Sequence, residues 1–509
     1  MNDVRGATAG RQLQLRNVRL GPRGPLGCVT VAGGRIAAIT PDVPDGRAGG
    51  GRGGRGGLDV FDAAGGTLLP GLCDAHVHLV QWASARRRVD LSGAGSAQAA
   101  ARAMADAAGR SPGGDQEPLI GFGFRDGLWP DRPHRDLLDR AGHRVAVLVS
   151  NDLHTAWLSG AALARLGRPG HPTGVLREQE ALDAVARLGP VADAVADTWV
   201  ADALTAAAAR GVTHIVDFEY ADNARDWTRR CGAGPLATRV TAAIYPDYLE
   251  DAIAQGRRTG DVLPDTGGMV TVGPLKLFVD GSLNTRTALC HEPYPGTPSG
   301  EQAWGILQTP PQELEHLMAR AAVHGIHSAV HAIGDRANAI ALDAFERVGC
   351  VGRIEHAQLV AVHDHARFKR PGLVLGVQPA HAPDDRDIAD RHWHGRTHRA
   401  YAYADLLAAG AVLEIGSDAP VSPLDPWRGI AAAVHRGSEH GRSPWHPEQA
   451  MDLETALRAA AAGQAAVRVG DRADLVVTAC DPAEVSPEDL MAMPVRATLL
   501  EGRWTHRTD

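Results

Sequence analysis

The sequence has no net positive charge and almost no lysine. Of its 52 basic residues only Lys276 and Lys369 are lysine, and the formal net charge is −8 over 509 residues. Nucleic-acid-binding proteins carry clustered basic surface, so this class of partner is not expected. The glycine- and arginine-rich stretch from Asp45 to Gly57 is short, internal and free of aromatic residues, which favours a surface loop over a nucleic-acid-binding tail. Because guanidinium stays protonated and an amine does not, a lysine retained in so arginine-rich a chain indicates a position that needs amine chemistry.

Long apolar runs and paired cysteines are also missing. No apolar run reaches about 18 residues and the start of the chain is polar, so neither a membrane span nor a signal peptide is expected. The 6 cysteines contain no Cys-x-x-Cys pair, which predicts reduced thiols in a cytoplasmic protein. None of them is a strong candidate nucleophile.

Both ends of the chain read as short strands. The first set covers Leu13 to Leu68, where Gly33-Gly34 between two apolar runs predicts a hairpin. A second set covers Ala473 to Thr478 and Val495 to Trp504. We therefore expect one small β-sandwich domain built from residues 1–68 and 460–509.

The middle of the chain, residues 69–459, alternates strand-like runs with helical patterns. This alternation is typical of βα units around a parallel sheet. A count of eight runs predicts an α/β fold, a (β/α)8 TIM barrel. Pro70-Gly71, within the stretch Thr67 to His78, is expected to be the crossing from the β domain into the barrel. The runs are this stretch, then Val212–Phe218, Arg239–Tyr245, Val270–Phe278, Ile326–His331, Gly352–His356, Leu373–Gln378 and Ala411–Asp418.

A large insertion follows the first barrel strand. It runs from about Trp82 to Asp197, which is too long for an ordinary βα loop. It contains strand-like runs of its own, such as Val145 to Ser150. Loops at the carboxyl ends of barrel strands build the active site, so the insertion is expected to form a lid or substrate wall over the barrel mouth.

Residues that commonly bind metals recur at the ends of the predicted strands. Side chains alternate along a strand, so His76 and His78 would leave on one face and form half of a metal site. The simpler alternative is that histidines merely end strands, since the chain has 23 of them. Six potential ligands at the ends of five predicted strands favour a metal centre; they are His76, His78, Lys276, His331, His356 and Asp418.

The motifs around these positions resemble the amidohydrolase superfamily, and more narrowly its YtcJ-like branch, which includes N-substituted formamide deformylase. The resemblance covers nearly the whole chain, with local departures in the glycine-arginine loop and at Gln464–Val469. The superfamily motifs are Pro70–His78, His331–Ala337, Arg353–Ala357 and Gly416–Pro420, and the branch motifs are Gly121–Pro130, Asn151–Trp157, Lys276–Ser282 and Val377–His381.

The resemblance implies a metal-dependent amidohydrolase that cleaves a carbon-nitrogen bond other than a peptide bond. His76, His78 and Asp418 would hold one Zn²⁺, His331 and His356 a second, and a carboxylated Lys276 would bridge the two. Asp418 would take a proton from water as general base and pass it to the leaving amine. The alternative for Lys276 is an ordinary ion pair with Asp280 or Asp418.

Substrate choice is expected to depend on the insertion and the barrel loops. Aromatic residues there would suit an apolar or aromatic amide substituent, although Trp129 and Trp157 could equally form the core of the insertion. Asp335 and Arg336 could likewise form a structural ion pair. The candidate substrate-binding residues are Phe124, Trp129, Asp152, His154, Trp157, Asp280, Arg286, Gln378 and His381.

Other functions stay open at this point. A mononuclear zinc deaminase would need no Lys276 ligand, an esterase or lactonase could use the same parts, and a non-catalytic scaffold of this fold would be expected to lack ligands. The expected partner is a small-molecule substrate, with neither nucleic acid nor membrane, and a homodimer is left open.

Overall fold

The computed structural model describes residues 12–41, 58–110, 118–142, 145–188, 191–297, 300–437 and 442–508. The predicted glycine-arginine loop, Asp45 to Gly57, lies outside these ranges. Within them, no helix combines the length and the apolar character needed to cross a membrane.

The N-terminal part of the chain forms strands of one sheet. β2 and β3 are the predicted hairpin, joined at Gly33-Gly34. β5 ends at Pro70 and the next strand belongs to the barrel. The chain therefore crosses from the first sheet into the barrel at Pro70-Gly71, as predicted, and the stretch Thr67 to His78 holds two strands in two sheets. These first strands are β1 (Leu13–Leu20), β2 (Leu26–Ala32), β3 (Arg35–Pro41), β4 (Asp59–Asp62) and β5 (Thr67–Pro70).

The barrel opens with β6 (Leu72–Val77) and α1 (Leu79–Ala85), and the insertion follows. The insertion strands form a five-stranded sheet in the order β11-β10-β9-β8-β7, with its own hydrophobic core on each face. Its elements are β7 (Val89–Asp90), α2 (Ala97–Arg110), β8 (Leu119–Phe124), α3 (Arg135–Arg140), β9 (Ala146–Ser150), β10 (Thr155–Leu158), α4 (Gly160–Arg165), β11 (Val175–Arg177) and α5 (Gln179–Leu188).

Seven more strands complete an eight-stranded parallel sheet in the order β6-β12-β13-β14-β15-β16-β17-β18. The strands are β12 (Val212–Asp217), β13 (Arg239–Ile244), β14 (Val270–Phe278), β15 (Ser328–Ala332), β16 (Gly352–His356), β17 (Leu373–Val377) and β18 (Leu413–Ile415). The helices are α6 (Asp193–Ala208), α7 (Asn223–Ala233), α8 (Leu249–Ala254), α9 (Pro311–Ala322), α10 (Asp335–Val348), α11 (His381–His392), α12 (Tyr403–Ala408), α13 (Pro426–His435) and α14 (Leu453–Ala459).

The last barrel strand meets the first. A parallel bridge joins Ala419 to Val77, and the backbone of Gly416 packs directly on β6. A Cβ added to Gly416 would lie 2.6 Å from the His76 backbone nitrogen, so only glycine fits this contact. The (β/α)8 architecture with an insertion after its first strand is confirmed.

The C-terminal strands return to the first sheet, as predicted. Its strand order is β21-β20-β19-β5-β1-β2-β3, with β4 beside β1, and it encloses a separate hydrophobic core. Arg239 of the barrel pairs with Asp474 at 3.0 Å and joins the two domains. The elements are β19 (Leu475–Thr478), α15 (Pro487–Met491), β20 (Val495–Leu500) and β21 (Arg503–Arg507). Short 3-10 helices lie at Asp126–Leu128, Pro246–Tyr248, Glu301–Trp304, Val362–Lys369, Thr397–Arg399 and Pro447–Gln449.

Candidate metal centre

The six predicted ligands lie at the carboxyl ends of β6, β14, β15, β16 and β18. Parallel strands share this end, so their terminal side chains converge. Five of the six residues are buried, and His78 is partly exposed at the start of α1. Potential ligand atoms of His76, His78 and Asp418 lie within 4.8 Å of one another, and so do those of His356, His381 and Asp418.

Asp418 lies at the centre of the cluster. Its Oδ1 atom is 3.4 Å from Nε2 of His76 and 3.4 Å from Nε2 of His78. Zinc-nitrogen and zinc-oxygen bonds of about 2.0–2.2 Å in tetrahedral geometry separate two ligand atoms by about 3.3–3.6 Å. The spacing around Asp418 is therefore that of atoms sharing one metal ion.

His76 is held in one tautomer by Glu355. Its Nδ1 lies 2.7 Å from Oε2 of Glu355, and because a carboxylate only accepts, Nδ1 carries the hydrogen. Burial lowers the pKa of His76 to about 4, so the ring is neutral and Nε2 has a free lone pair. Arg353 holds the other Glu355 oxygen at 2.7 Å. Such carboxylate-histidine pairs orient metal ligands.

His331 is oriented in the opposite sense. Its Nε2 lies 3.2 Å from the carbonyl oxygen of Gly281, and a carbonyl can only accept, so Nε2 is the N–H. Burial lowers the pKa of His331 well below its usual value. The ring is thus neutral with its lone pair on Nδ1, and its centroid lies 4.4 Å from that of His356.

Lys276 is fully buried at 0% exposure. Its Nζ lies 4.4 Å from the ring centre of Phe218 and 5.1 Å from that of Phe278, and it has no hydrogen-bond partner among the described residues. Burial lowers the pKa of Lys276 to about 8. The lowered pKa increases the fraction of neutral amine at neutral pH, and the neutral amine is the form that reacts with carbon dioxide.

Asp280 is not the partner of Lys276. Its two carboxylate oxygens accept from the backbone N–H groups of Leu289 at 2.8 Å, Ile333 at 3.0 Å and Gly334 at 2.9 Å. Asp280 therefore ties the loop after β14 to the loop after β15. These contacts are structural, and the substrate contact of Asp280 stays a prediction.

Two of the candidate ligands have strained backbones. His356 has φ 78° and Asp418 has φ 58°, in the left-handed region that costs non-glycine residues roughly 1–3 kcal/mol. Strain of this kind persists where surrounding structure enforces it and is concentrated at functional sites. It turns both side chains toward the common centre.

The donor set fits a divalent metal. At the cluster, the buried nitrogens without hydrogen-bond partners among the described residues are Nε2 of His76, Nδ1 of His78, Nζ of Lys276, Nδ1 of His356 and Nε2 of His381. A buried polar atom left unpaired costs about 1–3 kcal/mol, so several of them around one carboxylate are best explained by a shared ion. Imidazole and carboxylate together suit zinc or a similar ion.

Sequence reasoning missed two supporting carboxylates, Glu355 and Asp74. Asp74 accepts from the backbone N–H of Ser417 at 2.8 Å and thereby fixes the Asp418 loop to β6. The signal was present, because alternation in Asp-Ala-His-Val-His places Asp74 on the face of His76. Glu355 directly precedes a predicted ligand in Arg-Ile-Glu-His.

The predicted aromatic substrate contacts of the insertion lie in its core. Phe124 and Trp157 are 0% exposed, with ring centres 6.4 Å apart. Trp129 packs on Phe124 at 5.5 Å and donates to the Ala94 carbonyl at 2.8 Å. The alternative that these tryptophans stabilise the insertion agrees with the structure, and Phe124 does the same.

Asp152 and His154 lie instead on the turn between β9 and β10, which contacts the barrel. Asp152 Oδ2 accepts from Ser282 Oγ at 3.2 Å and Asn284 Nδ2 at 2.9 Å, both in the loop after β14. His154 Nδ1 lies 2.5 Å from Glu178 Oε2. These two residues reach the barrel mouth.

The remaining barrel candidates differ in position. His381 lies against Asp418, with Nε2 3.9 Å from Oδ2. Gln378 is buried and donates to the Gly376 carbonyl at 3.1 Å, whereas Arg286 is exposed on the loop after β14. Asp335 pairs with Arg399 at 3.1 Å and not with Arg336.

Known proteins share this architecture and these motifs. The sequence profile of the amidohydrolase family matches residues 59–506. The chain belongs to the amidohydrolase family. YtcJ of Bacillus subtilis strain 168 is 27% identical over 488 residues, covering 86% of this chain and 89% of YtcJ. The N-substituted formamide deformylase of Arthrobacter pascens is 26% identical over 526 residues, covering 93% and 94%.

A solved structure agrees with the sequence relatives. An uncharacterized metal-dependent hydrolase from Pyrococcus horikoshii OT3 superposes with a TM-score of 0.75 at 25% identity, covering 94% of this amidohydrolase and 99% of the other chain. The predicted resemblance to the YtcJ-like branch is confirmed.

Proposed function

We propose that this amidohydrolase uses divalent metal ions to cleave the C–N bond of a small-molecule amide, an N-substituted formamide or N-acyl compound. The observation that carries the proposal is the set of unpaired buried nitrogens around Asp418. The relative named N-substituted formamide deformylase supports the substrate class.

The residues suggest two metal positions. His76, His78 and Asp418 would hold one ion, His331 and His356 the other, and a carboxylated Lys276 would bridge them. His381, which the structure brings to Asp418, stays a substrate-binding candidate. Bound divalent ions would supply a Lewis acid for the substrate carbonyl and lower the pKa of water at the site.

Asp418 is the candidate general base. Its carboxylate lies among the ligand side chains, where it can accept a proton from the attacking water. Glu355 and the Gly281 carbonyl keep His76 and His331 in fixed tautomers and orientations. The aromatic rings beside Lys276 restrict the access of water to its amine. An ester or lactone could be cleaved with the same groups.

The buried, unpaired Lys276 favours this proposal over a mononuclear deaminase, which would not need Lys276 as a metal ligand.

The test of the proposed function combines metal analysis with measurement of turnover. Protein treated with a chelator should lose activity on a panel of N-substituted formamides and N-acyl amines, and regain it with Zn²⁺. Asp418→Asn should be inactive at any zinc concentration, whereas Asp425→Asn, an N-cap of α13 outside the site, should be active. Undiminished turnover after complete metal removal would refute the proposal.

A further inference from the structure

One turn of the insertion, which carries His154, spans the barrel mouth. The turn Asn151–His154 contacts two loops: Asn151 Nδ2 donates to Val421 O at 2.6 Å in the loop after β18, and Asp152 accepts from Ser282 and Asn284 after β14. In an eight-stranded ring, β14 and β18 are four strands apart, on opposite sides. The turn therefore spans the mouth above the ligands, which lie on the barrel strands beneath.

His154 is fixed on this turn by Glu178. Besides the 2.5 Å contact from Nδ1 to Oε2, the Glu178 backbone N–H donates to the His154 carbonyl at 2.8 Å. Glu178 is ionised and only accepts, so Nδ1 is an N–H donor. The other ring nitrogen, Nε2, has no hydrogen-bond partner among the described residues and is not among their buried unpaired atoms. It is therefore open to a ligand.

The charges facing the ring keep it protonated. Burial opposes the charged form, but the hydrogen bond and charge of Glu178, with the charges of Asp152 and Asp418, outweigh it and raise the pKa of His154 to about 9. At neutral pH, Nε2–H is thus a proton donor on the turn that spans the barrel mouth.

We propose that His154 is the general acid of the reaction and donates its Nε2 proton to the nitrogen of the leaving amine, with Glu178 as its positioning residue. This inference rests on the proposed amide hydrolysis. The candidate ligands and the general base lie at the carboxyl ends of the barrel strands, where the substrate carbonyl and the water would bind. The leaving group then faces the insertion, where His154 is the donor.

The water oxygen bonds to the carbonyl carbon while one water proton passes to Asp418. The C–N bond then breaks, its electron pair stays on nitrogen, and the His154 proton completes the neutral amine. The proton on Asp418 returns through solvent to His154, so water and amide give acid and amine. Asp418 no longer has to perform both transfers.

The test varies the basicity of the leaving amine. A proton donor matters for N-benzylformamide, whose amine is basic, and little for 4-nitroformanilide, whose amine leaves without help. His154→Gln keeps a hydrogen-bond donor but cannot transfer a proton. It should lower kcat on N-benzylformamide by about 10²- to 10⁴-fold and on 4-nitroformanilide by less than about 5-fold. Zinc content should match the wild type, which shows that the centre is intact.

Glu178→Gln should show the same selectivity in weaker form. Its matched control is Glu180→Gln, because Glu180 is exposed two residues later and pairs with Arg168. Equal losses of His154→Gln on both substrates, or no loss on either, would overturn the proposal.

Failure of the proposed function gives a different result. If the wild type cleaves no amide of the panel, that function fails, and the variants are compared on benzyl acetate and 4-nitrophenyl acetate instead. A loss confined to benzyl acetate, whose alkoxide needs a proton, would support His154 as the donor to a leaving group. An equal loss on both esters would refute it.

Discussion

The Nδ1 atom of His76 lies 2.7 Å from Oε2 of Glu355, and both side chains are almost completely buried. Glu355 comes from β16, which is three strands from β6 in the closed ring. Gly376 leaves room for it, since a Cβ there would lie 2.1 Å from Oε2. The orientation of one candidate ligand thus depends on a carboxylate from a strand that is not its neighbour.

Replacing this carboxylate should weaken metal binding. Glu355→Gln leaves His76 without a fixed acceptor, and we expect zinc affinity to fall by about 10- to 100-fold, measured by competition with a chelating dye. Glu414→Gln is the matched control, because Glu414 also binds Arg353 without contacting a candidate ligand. An equal fall in both variants would assign the effect to Arg353.

Lys276→Arg should reduce the metal content from two ions to one per chain. Arginine keeps the positive charge but cannot form a carbamate, so no bridging oxygens would be available. The measurement is elemental analysis after loading with zinc and bicarbonate. Native mass spectrometry of the wild type should also show the added mass of one carbon dioxide, absent from the variant. Two ions bound to Lys276→Arg would contradict a bridging carbamate.

The pH dependence of kcat should report the protonation state of His154. Its pKa is raised from 6.5 to about 9, so the protonated donor is present at neutral pH and is lost as the pH rises through about 9. We expect kcat on N-benzylformamide to fall over this pH range, which forms the alkaline limb of the profile. In Glu178→Gln the fall should begin at lower pH, toward 6.5, while Glu180→Gln should keep the wild-type limb. A limb that does not move in Glu178→Gln would show that another group titrates there.

Trp157→Ala should act on stability and not on substrate binding. The side chain fills the insertion core at 0% exposure, so its loss should cost about 3–5 kcal/mol of the free energy of unfolding. Denaturant melts measure this, and KM at a temperature where the variant is folded should equal that of the wild type. Trp157→Phe should recover most of the stability. A large rise in KM without destabilisation would restore the predicted substrate contact.

The barrel could be predicted because its strands are buried on both faces and read as apolar runs. β16 matches the run Gly352–His356 at both ends. Candidate ligands were visible for a related reason: polar residues such as His331 and Asp418 stand out where such runs end. The stretch Thr67 to His78 holds two strands, and the predicted crossing at Pro70-Gly71 separates them.

Side-chain partners could not be predicted in the same way. The contact of Glu355 with His76 depends on how the barrel closes, and the pairing of Asp335 with Arg399 depends on where a distant 3-10 helix packs. The aromatic residues of the insertion look alike in sequence whether they line a pocket or fill a core. Only the three-dimensional packing of Phe124 and Trp157 separates these roles.

The pairing of β5 with β19 has a consequence for the order in which the protein forms on the ribosome. Leu69 of β5 faces Val476 of β19, so β5 emerges about 400 residues before its partner. At roughly 5–20 residues per second, this interval lasts about 20–80 seconds. During that time one edge of β5 is open to other chains, and the sheet that contains β5 is completed only after all the barrel strands have been synthesised.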